Sequence, residues 1–218
     1  MLDTTPAARP QRTTLKGRYV GLVPLDSAAH GDDLWNLACA PEHDVLWTYL
    51  FDGPFRERAA FQASLEKKAA SDDPLFFAIL DQPSGRAVGY ASLMRIEPVH
   101  RVIEVGSILY SPALRRTTSA TEAMYLLARH VFDDLGYRRY EWKCDSRNEP
   151  SRRAALRLGF TFEGIFRQHM IVKGRNRDTA WFSMLDGEWP SRRAAFERWL
   201  DPANFADGAQ KTSLGLLR

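Results

Sequence analysis

RVIEVGSILYSPALRRTTSATEAMYLLARHVFDDLG, residues 101–136, changes its period part-way along. Val102, Glu104, Gly106, Ile108 and Tyr110 recur at a spacing of two, which predicts a strand carrying them on one face. After Ser111-Pro112 the apolar positions Ala120, Ala123, Met124, Leu127, Ala128, Val131 and Leu135 recur at helical spacing, and Gly136 is placed to end that helix. The stretch therefore reads as strand, polar loop and helix. Arg115-Arg116-Thr117-Thr118-Ser119-Ala120 occupies the start of the helix, where the first amides lack intrahelical acceptors and carry the positive end of the dipole. Two uses fit that position. An anion such as a diphosphate can bind there, or Ser119 and Glu122 can close a capping box with no ligand at all.

Working outward, residues 137–144 alternate as a strand, and a strand reached through a helical crossover predicts a locally parallel pair. Asn148 is a candidate N-cap with Pro150 in the first turn of a helix that ends at Gly159. Residues 160–172 and 179–185 read as a hairpin around the polar turn 173–177. On the other side, 75–80 and 88–96 form a hairpin around Asp81–Gly85. Residues 19–25 make a strand ending at Asp26-Ser27, which caps a helix carrying Leu34, Leu37 and Ala38 and stopping by Pro41. A second helix is predicted over 56–70 and a terminal one over 188–200. The order is β-α-α-β-β-β-α-β-α-β-β, an α/β (α+β) arrangement with helices packed on a mixed sheet. We divide the chain into a flexible tail (1–14), one main domain (15–187) and a C-terminal helix and tail (188–218).

With 218 residues and 44% hydrophobic composition the chain supports one main core. Its 30 Lys and Arg against 27 Asp and Glu leave a net charge of +3, which argues against nucleic-acid binding by charge alone. Cys39 and Cys144 match neither a disulfide framework nor a zinc spacing, so a reduced, metal-free, cytoplasmic protein is expected. No apolar run suggests a membrane span or a signal peptide.

Arg115-x-x-Thr118-x-Ala120 resembles the acetyl-CoA signature of the GNAT N-acetyltransferases, Q/R-x-x-G-x-G/A, with Thr118 where that family usually has glycine. Ala120-Thr121-Glu122-Ala123 is similar to the RimJ and RimL branch, and Asn148-x-x-Ser151 followed by Leu158-Gly159-Phe160 and Glu163-Gly164 matches a second signature of the family. The resemblance covers residues 15–187. It implies a mostly antiparallel sheet with helices on both faces, acetyl-CoA as cosubstrate, and an amine acceptor that is either a protein N-terminus or a small molecule, in a monomer or homodimer. The cofactor-binding residues it implies are Ile108, Leu109, Arg115, Arg116, Thr117, Thr118, Ser119, Ala120, Thr121, Asn148 and Ser151. A non-catalytic CoA-binding or interaction module on the same fold is the alternative.

An alkyl amine with a pKa of about 10.4 is mostly protonated at neutral pH, so transfer needs a base or a desolvating pocket. Glu104 is the candidate, because burial in an apolar strand favours a carboxylate that can take a proton. Its alternative is a carboxylate on a wet edge, or an ion pair with Arg95 or Arg101. Glu104 also precedes Arg115 by the interval at which several GNAT enzymes place their base. Strand amides near Ile108 can stabilise an oxyanion. The resemblance gives Ser151 the protonation of the leaving thiolate and Asn148 the pantetheine arm, with Tyr110 and Tyr140 as alternative acids or as packing. Trp47, Tyr49 and Phe51 are either an acceptor-binding wall or packing beneath a loop. Arg138, Arg139, Arg152, Arg153 and Arg157 admit a nucleic-acid-binding reading, but they are expected beside the cofactor phosphates and serve the cofactor reading equally well.

Overall fold

The computed structural model describes residues 3–218. β1 (Leu15–Lys16), β2 (Val20–Pro24), β3 (Leu75–Asp81), β4 (Ala87–Glu97), β5 (Val102–Tyr110), β6 (Arg139–Asp145), β7 (Thr161–Val172) and β8 (Arg175–Leu185) form one sheet in the order β1-β2-β3-β4-β5-β6-β8-β7. Neighbours are antiparallel except β5 and β6, which run parallel because a helical crossover joins them.

Two helices, α1 (Ser27–Ala38) and α2 (Arg58–Ala70), pack on one face. There Leu34, Phe61 and Leu65 meet Phe76, Ala78, Tyr90 and Leu109. On the other face α3 (Thr118–Arg129), α4 (Glu149–Leu158) and α5 (Trp189–Leu200) bury Met124, Leu127, Ala155, Leu158 and Phe196 against Ile103, Val105, Tyr140 and Phe182. Asp26 caps α1 by accepting from the amides of Ala28 and Ala29, as the sequence predicts. The core under α1 and α2 ends at β5, so the same face of β6 and β8 carries Glu141, Lys143, Asp145, Thr179 and Ser183 instead.

Three local readings change. Residues 102–110 do not keep one face: Ser107 takes φ 48°, and Tyr90 pairs with Leu109 while Ser92 pairs with Gly106. Two residues of β5 thus oppose one of β4, and this bulge reverses the phase, so Ile108 and Tyr110 pack with Ile103 and Val105 while Leu109 turns to the opposite core. The helix after the loop passes into a wider π-type turn at His130–Asp134 before Gly136, φ 71°, ends it. The polar turn 173–177 shrinks to Lys173-Gly174, φ 49° and 71°, a two-residue hairpin turn that frees Arg175–Arg177 to join β8.

Candidate active site

β5 and β6 share a ladder only from the Val102–Arg139 pair to the Val105–Trp142 pair. Beyond it β5 bends at its bulge while β6 continues against β8 to Asp145, so the two strands part. Amides of β5 that face this gap have lost their ladder partners. The gap leads to the starts of α3 and α4, since each follows directly on one of the parting strands.

At the head of α3 the cap is Thr117, whose Oγ1 accepts from the Ala120 amide at 3.1 Å; Ser119 lies inside the helix. The Ser119–Glu122 capping box does not form. Glu122 is turned to the β2 approach, where its buried carboxylate accepts from the amides of Arg18 (2.9 Å), Tyr19 (2.6 Å) and Val20 (2.9 Å). The amides of Thr118 and Ser119, the first two positions of the helix, have no hydrogen-bond acceptor among the described residues. No acidic side chain stands in this first turn, and the Arg115 and Arg116 side chains are exposed beside it. These features fit a bound diphosphate. Thr121 is turned away: its buried Oγ1 accepts from Arg157 Nη1 at 3.1 Å, tying α3 to α4.

Glu104 lies on the opposite face of the sheet from α3, 3% exposed. Arg95 Nη1 donates to it at 2.6 Å and Lys143 Nζ lies 3.0 Å away, so its partners are Arg95 and Lys143 rather than Arg101. Lys143 also reaches Glu141 at 2.7 Å and stands 3.8 Å from the Trp181 ring centroid. Arg139 continues the chain of charge to Glu141 and Glu163, each at 2.6 Å. The Arg139 hydrogen bond lowers the Glu163 carboxyl from 4.5 to about 2, and Arg139 rises in turn. Arg139 therefore does not stand beside the α3 start: it begins β6, at the paired end of the wedge, and its guanidinium faces the acidic network. Arg152 and Arg153 pair with Glu149 of their own helix.

Asn148 caps α4, its side-chain oxygen accepting from the Ser151 amide at 3.2 Å. Ser151 Oγ accepts from Trp142 Nε1 at 3.0 Å, and its hydroxyl stands beside the Cys144 thiol. Burial pushes the Cys144 thiol up, so it stays a thiol at neutral pH. Tyr140 is sealed in the core with no partner for its hydroxyl, while the Tyr110 hydroxyl donates to Ala120 O at 3.0 Å. Burial raises both phenols.

The aromatic stretch divides. Trp47 is fully buried, its indole donating to Ala38 O at 2.8 Å and its ring packed on Phe55 and Phe61 at 5.2 and 6.2 Å. It offers no surface to an acceptor. Gly53, φ 65°, lets the loop wrap that ring, because a Cβ there would come within 2.4 Å of it. Tyr49 and Phe51 are exposed, the first donating from its hydroxyl to Arg147 O at 3.1 Å. Phe51 borders a cavity of about 580 Å³ that is also lined by Phe55, Phe76, Tyr90, Lys68 and, from the β5 bulge, Ser107. Its ring lies 5.4 Å from the Arg177 guanidinium. Lys143 and Arg177 were not among the sequence candidates. Lys143 could have been found as the charge in an alternating strand, whereas Arg177 was hidden in the polar turn.

Residues 20–161 match the family described as Acetyltransferase (GNAT) domain. A solved GCN5-related N-acetyltransferase from Brucella melitensis is 52% identical, with a TM-score of 0.96 covering 99% of this chain and 98% of that one. A second structure, from Chromobacterium violaceum ATCC 12472 and provisionally described as a GNAT family acetyltransferase, is 43% identical with a TM-score of 0.81, covering 87% and 94%. YdaF of Bacillus subtilis (strain 168), provisionally named a ribosomal N-acetyltransferase, is 28% identical over 109 residues, 50% of this chain. That match spans 59% of YdaF, less than two thirds of its length. Among the described residues no helix is long and apolar enough to cross a membrane.

Proposed function

Because the chain belongs to the GNAT acetyltransferase family, we propose that it transfers the acetyl group of acetyl-CoA to a primary amine by direct attack. The observation that carries this reading is the parting of β5 and β6 in front of the unpartnered Thr118 and Ser119 amides. The acetyl thioester supplies an activated acyl carbon: net transfer makes the amide N–C bond and breaks the C–S bond, with one amine proton ending on the free thiol.

In this reading the 115–120 loop holds the diphosphate, and the β5 backbone near Ile108 lines the arm of the cofactor. Leu109 contributes backbone alone, since its side chain lies in the α1/α2 core. Ser151 directs its hydroxyl at the leaving sulfur as a hydrogen-bond donor while the proton taken from the amine reaches the thiolate through solvent, and Asn148 keeps Ser151 in place by capping α4. Glu104 accepts the amine proton, with Lys143 and Arg95 fixing its orientation. The acceptor approaches past Phe51 and Tyr49, on the face opposite α3. The likeness of Ala120–Ala123 to the RimJ and RimL branch and the name of YdaF both support a protein N-terminus as one class of acceptor. The test is acetyl-CoA-dependent thiol release across a panel of amines and N-terminal peptides. Turnover that Glu104→Gln lowers by about 10²–10⁴-fold is expected; no release with any amine contradicts the reading.

A further inference from the structure

Arg177 has an unusual position for an arginine. It is 8% exposed and makes no ion pair with any described carboxylate. Its one hydrogen bond among the described residues is Nε donating to Thr179 Oγ1 at 3.2 Å. The two Nη atoms remain in contact with solvent and carry no partner. Burial pushes the guanidinium down, Asp145 and Glu104 act to raise it, and Arg95 lowers it. Neither neighbouring acid neutralises it, because Asp145 is taken by the Arg147 amide and guanidinium and Glu104 by Arg95 and Lys143. A mostly buried cation left this way has given up much of its hydration without a compensating anion.

Its surroundings say where an anion would sit. Residues 177, 179 and 181 share one face of β8 at a spacing of two, the face that also carries Lys143 and, across β6, Glu104. Trp181 Nε1, on that face, is sealed and has no partner among the described residues. The Phe51 ring closes over Arg177 from the loop that borders the cavity. Arg177, Trp181 and Glu104 thus share one face of the sheet, with the Phe51 ring over the guanidinium.

We infer that Arg177 binds a carboxylate of the acceptor itself, so that the amine acetylated near Glu104 belongs to a molecule carrying an anionic group close to that amine. This rests on the acetyl-transfer reading and narrows it. A guanidinium fork receives a carboxylate through two parallel hydrogen bonds, while Phe51 and Trp181 flank the acceptor's apolar part. Free amino acids and peptides that begin with Asp or Glu both present this chemistry; neutral N-terminal peptides and simple alkyl amines do not.

The experiment compares kcat/KM for free L-amino acids, their methyl esters, and peptides beginning with Asp, Glu, Ala or Ser, using the full chain and its Arg177→Gln and Arg177→Lys variants. The acids are expected to exceed their esters, with Arg177→Gln raising KM for the acids by about 10- to 100-fold at unchanged kcat and leaving the esters unaltered. Arg177→Lys should fall between, since it keeps charge and loses the fork. The free-acid and acidic-peptide arms tell the two sources apart. Equal kcat/KM for acid and ester, or an equal loss of both in Arg177→Gln, overturns the inference. If nothing is turned over, calorimetry with N-acetyl-L-leucine and its methyl ester decides separately: acid-specific binding lost in Arg177→Gln upholds the anion site while condemning the transfer reading, and absence of acid-specific binding overturns the site.

Discussion

Lys143 Nζ stands 3.0 Å from Glu104 Oε2, with both side chains almost wholly sealed from solvent. The strand register makes this pairing: Glu104 of β5 lies beside Glu141 of β6, and Lys143, two residues further along β6, points to the same face and reaches both acids. Lys143→Met would leave two buried carboxylates short of a counter-charge. We expect a loss of roughly 3–5 kcal/mol, the usual cost of breaking a buried pair from one side. Denaturant unfolding measures it; a loss below about 1 kcal/mol would put the pair in the class of exposed ion pairs.

Glu104→Gln tests the same contact from the acid's side. Shape is preserved and Lys143 keeps Glu141, so folding should survive. The transfer rate should fall by about 10²–10⁴-fold with CoA affinity unchanged, as expected when a general base is removed. Wild-type turnover at neutral pH would make Glu104 a purely structural member of the network.

Ser119→Asp separates a ligand-binding helix start from a merely capped one. The new carboxylate at the second position of α3 complements the dipole, so stability should stay level or rise by about 0.3–1 kcal/mol. A bound diphosphate would be repelled at the same spot. CoA affinity should therefore drop by at least about tenfold while the melting temperature holds; unchanged affinity would place the phosphates elsewhere.

Glu163 sets a pH dependence. Its carboxyl is lowered from 4.5 to about 2 chiefly by the Arg139 hydrogen bond, against opposing desolvation. A depressed carboxylate stabilises the fold above its unfolded value and loses that contribution as pH falls through the folded one. Wild type should melt above Glu163→Gln at pH 7, with the difference fading between 4.5 and about 2. A difference that does not shrink with acid would contradict the pairing.

Trp47→Ala should cost about 3–5 kcal/mol, since the ring is fully buried between the loop and α2. Acceptor KM should not change in the fraction that stays folded. Altered acceptor preference without a fall in melting temperature would restore Trp47 to the groove.

How far the sequence carried depended on whether a feature was local. The strand-loop-helix of 101–136, the Asp26 cap and the Asn148 cap were legible because period and cap chemistry are decided within a few residues. The phase of β5 was not. Its alternation reads cleanly through Tyr110, yet the bulge at Ser107 turns Leu109 to the other core, a choice made by pairing with β4 rather than by residue type. Glu122 misled for a related reason: its capping spacing is local, but the amides of residues 18–20 claim its carboxylate from more than a hundred positions away in the chain. Arg177 was invisible until Lys173-Gly174 took both left-handed positions and shortened the turn.

The central claim is that the wedge between β5 and β6, with the head of α3, is a CoA site, and calorimetric titration of the full chain with CoA tests it most directly. Saturable one-to-one binding is predicted, with log affinity falling as salt rises because charged phosphates are being held. No heat of binding up to millimolar CoA would contradict the account.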